Sequence, residues 1–162
     1  MEIPQKLISY LDEKKINYEI LHHREAFTAQ TLAAAEHVKG RHHAKVVMVR
    51  SGGQHLMTVL SADCRIDLEK LEKVTGNPSY LEGETDFKGL FPDCAPGTMP
   101  PFGDLYGLPT YVDKNLAEED YIVFEAGTHT DAIRLNYSDY ERTARPRVAD
   151  FAVKLHTLKQ PE

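Results

Sequence analysis

The segment from residue 44 to residue 60 constrains this chain most. Ala44-Lys45-Val46-Val47-Met48-Val49-Arg50 and His55-Leu56-Met57-Thr58-Val59-Leu60 are apolar runs rich in Val, Leu and Met, joined by Ser51-Gly52-Gly53-Gln54. Two β-prone runs around a Gly-Gly pair spell a β-hairpin, because glycine reaches the positive φ of a tight turn at little cost. Residues 46–49 are apolar on both faces, which sets this strand centrally in a sheet covered on both sides. Side chains alternate along a strand, so Lys45 shares a face with Val47 and Val49. A lysine on such a face either snorkels from the strand end or points into a pocket. Lys39, Arg41, His42, His43 and Arg50 flank it as the densest basic stretch in the first half, which favours an anionic ligand nearby.

The remaining pattern alternates short helices and strands. Ile3, Leu7, Tyr10 and Leu11 fall on one face of a helical period and predict a helix over 2–14. A short strand is expected at 18–21, then a helix over 29–37 capped by Thr28. Asp67 should cap a helix striped by Leu68, Leu71 and Val74 and ended by Gly76. A short helix is expected at 84–90, a long Pro/Gly loop over 92–109, strands at 110–112, 121–125 and 132–135, and a helix from about Ser138. Hairpins without strict βαβ alternation predict a mixed α/β (α+β) fold, a twisted mixed β-sheet flanked by helices. A length of 162 residues fits a single domain over 1–162. Residues 141–162 are expected to be a helical extension packing through Val148, Phe151 and Val153. Its basic residues Arg142, Arg145, Arg147, Lys154 and Lys159 offer an accessory contact for nucleic acid.

Two further segments can carry chemistry. In Cys94-Ala95-Pro96-Gly97-Thr98-Met99-Pro100-Pro101-Phe102-Gly103, the prolines remove donors and fix φ while the glycines permit close approach. A rigid loop of this kind can aim backbone N–H groups at a carbonyl, as in an oxyanion hole, or can be an ordinary Ω-type loop. Ala126-Gly127-Thr128-His129-Thr130-Asp131 sets hydroxyls, an imidazole and a carboxylate on a turn between two strands, as a functional edge or a plain hairpin turn.

Other classes fall away on the pattern. No GxxxxGK[ST], GxGxxG, HExxH, GxSxG or HxE…PCxxC spacing occurs, so neither a nucleotide loop, a metal site nor a nucleophile elbow is expected. The adjacent pairs His22-His23 and His42-His43 cannot chelate from one strand face. Cys64 and Cys94 are expected to be reduced thiols. No run approaches the ~20 apolar residues of a membrane helix, and the Met1-Glu2-Ile3-Pro4-Gln5-Lys6 opening lacks a signal core, so a cytoplasmic protein without membrane partner is expected. The net charge of −6 argues against extensive binding along a nucleic-acid backbone and leaves room for contact with a strand's tip.

Together these segments resemble the YbaK/prolyl-tRNA-synthetase-associated domain family. Ala44-Lys45-Val46-Val47-Met48-Val49 is similar to its signature strand, whose lysine is its best-known functional residue. Residues 60–68 resemble the "L-P-G-D-R-x-V-D-L" turn, with Ser61-Ala62 in place of Pro-Gly and an additional Cys64 before Arg65. Gly97-Thr98-Met99-Pro100-Pro101 matches the GxxxP loop, and Leu108-Pro109-Thr110-Tyr111-Val112-Asp113, Gly127-Thr128-His129 and the "H-x-x-x-F-T" opening at 23–28 keep the family's order. The match covers about residues 18–140.

The resemblance implies a mixed α/β fold in which lysine and GxxxP loop face one pocket. It also implies hydrolysis in trans of the ester joining an amino acid to tRNA, assisted by the terminal ribose hydroxyl, without cofactor or metal. Lys45, Gly97 and Pro101 are then the expected catalytic positions, with Gly97 and its neighbours holding the ester carbonyl and Lys45 acting as a cation. Thr28, Phe27, Thr98, Met99, Phe102, Asp113, Gly127, Thr128 and His129 are expected to line the substrate, with Phe27, Met99 and Phe102 setting a size limit. A synthetase pocket rejects a smaller amino acid by only ~1–3 kcal/mol, which is why such editing exists. The preferred substrate is alanine on tRNA for proline, and the expected partner is the aminoacyl-tRNA 3′ end, with docking to a synthetase left open and oligomeric state not readable. Two rivals stay open, a non-catalytic module of the same fold that binds tRNA ends or a nucleotide, and a histidine-based metallohydrolase.

Overall fold

The computed structural model describes residues 2–23 and 39–155. Phe27, Thr28, the helix expected over 29–37 and Lys159 lie outside the described residues. Helix α1 (Gln5–Glu13) starts at Pro4, whose fixed φ of −57° suits a helix entrance. It buries Leu7 and Leu11 completely, one turn apart on the expected face, each burial stabilising by roughly 1.5–3 kcal/mol.

The hairpin forms the middle of a five-stranded sheet. Strands β2 (Ala44–Ser51) and β3 (Gln54–Ser61) pair antiparallel, with Lys45 opposite Leu60 and Val49 opposite Leu56. Gly52 and Gly53 close the turn with φ of 57° and 82°, as the Gly-Gly signal required. Strand β5 (Ser79–Leu81) edges the sheet beside β2. On the other side β6 (Thr110–Asp113) and then β9 (Arg147–Ala149) add in parallel. Strand β1 (Tyr18–His22), β8 (Asp131–Asn136) and β7 (Tyr121–Glu125) make a second, antiparallel sheet. A parallel bridge between His43 and Val123 sutures the two sheets, supported by Val123 N–H donating to the His42 carbonyl at 3.0 Å.

Each face of β2 meets its own core. Met48, Met57, Val59 and Val112 join Leu7, Leu11 and Phe124 in the larger one. Val49, Leu56 and Leu60 pack with Leu71 and Phe151 in the smaller. Leu71 comes from helix α2 (Leu68–Thr75), where the Asp67 carboxylate accepts the Lys70 N–H at 3.2 Å and Gly76 stops the helix at φ 76°. Short α3 (Glu84–Phe87) runs into a 3₁₀ turn at 88–90, and α4 (Lys114–Ala117) and α5 (Tyr137–Ala144) are the remaining α-helices among the described residues.

The C-terminal expectation needs correcting. Beyond Ala144 the chain leaves the helix at Arg145, whose φ is +50°, and Pro146 follows. Residues 147–149 and 152–154 are then strands, β9 and β10 (Ala152–Lys154), the latter paired antiparallel with β4 (Cys64–Ile66). Phe151 is fully buried between them while Val148 remains 47% exposed. Strands of three residues carry too little periodicity to be distinguished from a frayed helix face.

Candidate active site

Lys45 follows from the alternation of β2. It is half-buried and lines a cavity of about 550 Å³ with Val47, Arg65, Asp67, Glu69 and Leu81 among its neighbours. Burial pulls its amine below the usual lysine range, partly offset by Cys64 and the Asp63 carboxylate. Arg65 reaches the cavity because β4 alternates, turning Cys64 and Ile66 inward and Arg65 outward. Leu81 leaves no sequence signal because it sits on a three-residue strand, and Arg65 is legible only as part of the turn at 60–68, not as a cavity residue.

The proline-rich loop and the 126–131 turn are built as one unit. Ala95 N–H donates to the Gly127 carbonyl and Gly127 N–H to the Thr98 carbonyl, both at 2.9 Å. Gly127 has φ +87°, and a β-carbon there would lie 2.5 Å from Pro4 Cδ, so both backbone and space require glycine. Thr128 Oγ1 donates to Asp131 Oδ2 at 2.7 Å and accepts the N–H groups of Thr130 and Asp131, pinning the turn that carries half-buried His129. His22 reaches the same carboxylate at 2.6 Å. Gly97 is exposed at φ +79° with open space where a side chain would stand. Thr98 spends its N–H and its hydroxyl on the Ala95 carbonyl at 3.1 and 2.7 Å. Pro96, Pro100 and Pro101 donate nothing, so Gly97 and Met99 hold the amides of the GxxxP segment that have no backbone partner among the described residues.

The expected residues therefore divide. Lys45, Gly97 and His129 present surface. Met99 is nearly buried and lines a separate cavity of about 240 Å³ with Phe87, Phe91 and Cys94. Gly97 and Pro101 do not line the Lys45 cavity among the described residues. Thr98, Pro101, Gly127 and Thr128 are buried and shape the backbone. Phe102, expected to set a size limit, lies in the core. It is fully buried, with Tyr10, Phe124 and Tyr140 rings edge-on at 5.6, 5.5 and 5.3 Å. Asp113 is also a framework residue. Its carboxylate is fully buried and accepts the N–H groups of Asn115, Phe151 and Ala152, each at 3.0 Å.

Both cysteines are free and buried. Burial pushes the Cys94 thiol up to about 11 and the Cys64 thiol up to about 12, which suits packing and not nucleophilic attack. The donor atoms of His42, Glu119 and Asp120 lie within 4.8 Å of one another. His42 Nδ1 is engaged by the Tyr121 carbonyl at 3.1 Å and Glu119 lies 3.4 Å from Arg41, while the Asp120 side chain is exposed.

Comparison with known proteins bears on family and fold. Residues 23–143 match the family model described as the aminoacyl-tRNA editing domain. The prolyl-tRNA editing protein ProX of Acetoanaerobium sticklandii is 26% identical over 151 residues, covering 90% of this chain and 92% of its own. The multifunctional Ser/Thr-tRNA deacylase ProXp-y of Escherichia coli K12 is 26% identical over 153 residues, covering 91% of each. A solved structure described as a candidate trans-editing enzyme for prolyl-tRNA synthetase superposes with a TM-score of 0.80 at 20% identity, over 92% of this chain and 96% of that one. That likeness establishes a shared fold.

Proposed function

The chain belongs to the aminoacyl-tRNA editing domain family, and from that membership we propose how it works as an editing deacylase and on which ester. It is a hydrolase of aminoacyl-tRNA. Water adds to the ester carbonyl carbon, the bond to the ribose oxygen breaks, and a free amino acid and an uncharged tRNA leave. The ester is already reactive, so positioning water and stabilising the developing oxyanion are sufficient. The Gly97 and Met99 amides bind that oxygen, Pro101 holds their loop rigid, and His129 borders the acyl group. Lys45 acts as a cation on the phosphate of the terminal nucleotide, which enters the 550 Å³ cavity. The observation that carries this reading is a half-buried lysine lining a cavity of about 550 Å³. An aminoacyl-tRNA 3′ end fits an enzyme of net charge −6 better than a whole acceptor arm does.

The proposed substrate is a small amino acid on tRNA, alanine on tRNA for proline first. Seryl and threonyl esters form the second reading, because one relative of equal identity is named a Ser/Thr-tRNA deacylase. Single-turnover deacylation of Ala-, Ser- and Thr-tRNA by the wild type and Lys45→Ala tests both. The expected result is hydrolysis of at least one ester that drops at least 100-fold in the variant. Tight binding of every ester without hydrolysis would mark a non-catalytic binding module instead. The chain is proposed to act as one domain, free of or docked to a synthetase, in the cytoplasm.

A further inference from the structure

The loop that carries Gly97 has little regular structure to hold it. Its three prolines donate no hydrogen bonds, and its internal bonds are those of Thr98 to Ala95 and Phe102 to Pro100. Rigidity reaches it from outside: Gly127 N–H holds the Thr98 carbonyl at 2.9 Å, and a side-chain contact holds the proline end of the GxxxP segment. The Tyr140 hydroxyl donates to the Pro101 carbonyl at 2.8 Å from a side chain that is completely buried. Tyr140 stands on α5, 39 residues further along the chain, and its ring packs edge-on against Phe102 at 5.3 Å. A second tie comes from α1, where the Tyr10 hydroxyl lies 2.6 Å from Asp104 Oδ2 and 2.8 Å from the Thr143 carbonyl. Tyr10 thereby couples α5 to the turn that ends the loop.

We propose that Tyr140 is a positioning residue for deacylation, its hydroxyl fixing the Pro101 carbonyl and so the direction in which the Gly97 and Met99 amides point. Pro100 and Pro101 have fixed φ, so few torsions between the anchored carbonyl and the Met99 amide can absorb a shift. Burial excludes water that could replace the lost hydroxyl, so a vacancy there leaves the carbonyl unpaired and the loop free to move. Oxyanion donors act through placement, and a displacement of about 1 Å can cost on the order of 100-fold in rate. The inference rests on the reading that this loop holds the ester carbonyl.

The test compares Tyr140→Phe with Tyr137→Phe, from the same helix and with the same loss of a hydroxyl. The Tyr137 hydroxyl is buried like that of Tyr140 but makes no hydrogen bond to the loop among the described residues. The expected result for Tyr140→Phe is a fall in kcat of about 10–100-fold with KM changed less than threefold, measured at a temperature where circular dichroism shows the variant folded. Tyr137→Phe is expected to keep kcat within twofold. A folded Tyr140→Phe that keeps kcat, or a fall shared equally by Tyr137→Phe, overturns the proposal. If Tyr140→Phe does not fold, Tyr10→Phe carries the test, with a several-fold loss in kcat expected and an unchanged kcat overturning it. Gly97→Ala separates the two levels. If that variant keeps full activity the loop reading itself fails, whereas an inactive Gly97→Ala beside an active Tyr140→Phe removes the positioning role alone.

Discussion

Gly127 and Thr98 are joined by a hydrogen bond of 2.9 Å, Gly127 N–H to the Thr98 carbonyl. With the return bond from Ala95 it welds two segments 29 residues apart into one surface. Gly127→Ala should break this weld. Its φ of +87° strains any L-residue, and the new β-carbon would press into Pro4. A loss of about 2–4 kcal/mol is expected, read from urea denaturation, together with reduced deacylation. Unchanged stability and rate would show that Pro4 and α1 move aside freely.

Lys45→Met separates function from stability. The amine is lowered in the folded chain, so the folded state releases a proton that the unfolded state still holds. Stability therefore rises with pH across the window from the lowered folded value to the ordinary 10.5, and burying the charge is unfavourable below it. Lys45→Met should fold at least as stably as wild type at pH 7 and lose that alkaline rise, while deacylation falls at least 100-fold. Urea melts from pH 7 to 10.5 measure the first, single-turnover assays the second. A variant less stable at pH 7 would mean that Lys45 serves the fold.

The thiols give an independent check on mechanism. Burial holds Cys64 and Cys94 up to about 12 and 11, so both should resist a thiol reagent at pH 8 in the folded chain. Two equivalents should react once denaturant is added. Cys64→Ala should keep its rate constant per folded molecule, and rapid labelling of the native enzyme would return a cysteine mechanism to consideration.

How much could be read from the chain in advance depends on the range of the contacts. Gly52-Gly53 and the Asp67–Gly76 caps act within a few residues, so hairpin and helix were legible. Lys45 could be placed on its face from alternation alone. The residues that close the structure depend on distant partners. His55 meets Glu82 at 2.7 Å across 27 residues, Tyr140 meets Pro101 across 39, and β10 pairs β4 through strands too short to show a period. Phe102 shows the same limit, since an aromatic in a Pro/Gly loop reads alike whether it lines a pocket or anchors the loop in the core.

Asp113 extends that lesson into a prediction about the difference between a site and its framework. Its place beside the pocket motifs made it a candidate for contacting substrate. In the fold its carboxylate caps α4 and takes the N–H groups of Phe151 and Ala152, tying β6 to the approach to β10. The Phe151 and Ala152 donors are buried, so no water can replace the carboxylate there, and hydrogen bonds to a charged acceptor are the stronger kind. Asp113→Ala should therefore lower stability by about 3–5 kcal/mol. Asp113→Asn should cost less, because its carbonyl oxygen can still accept from one side. Neither should alter KM for aminoacyl-tRNA once the rate is referred to folded protein. A rise in KM at full stability would restore Asp113 to the substrate and relocate the pocket toward β6.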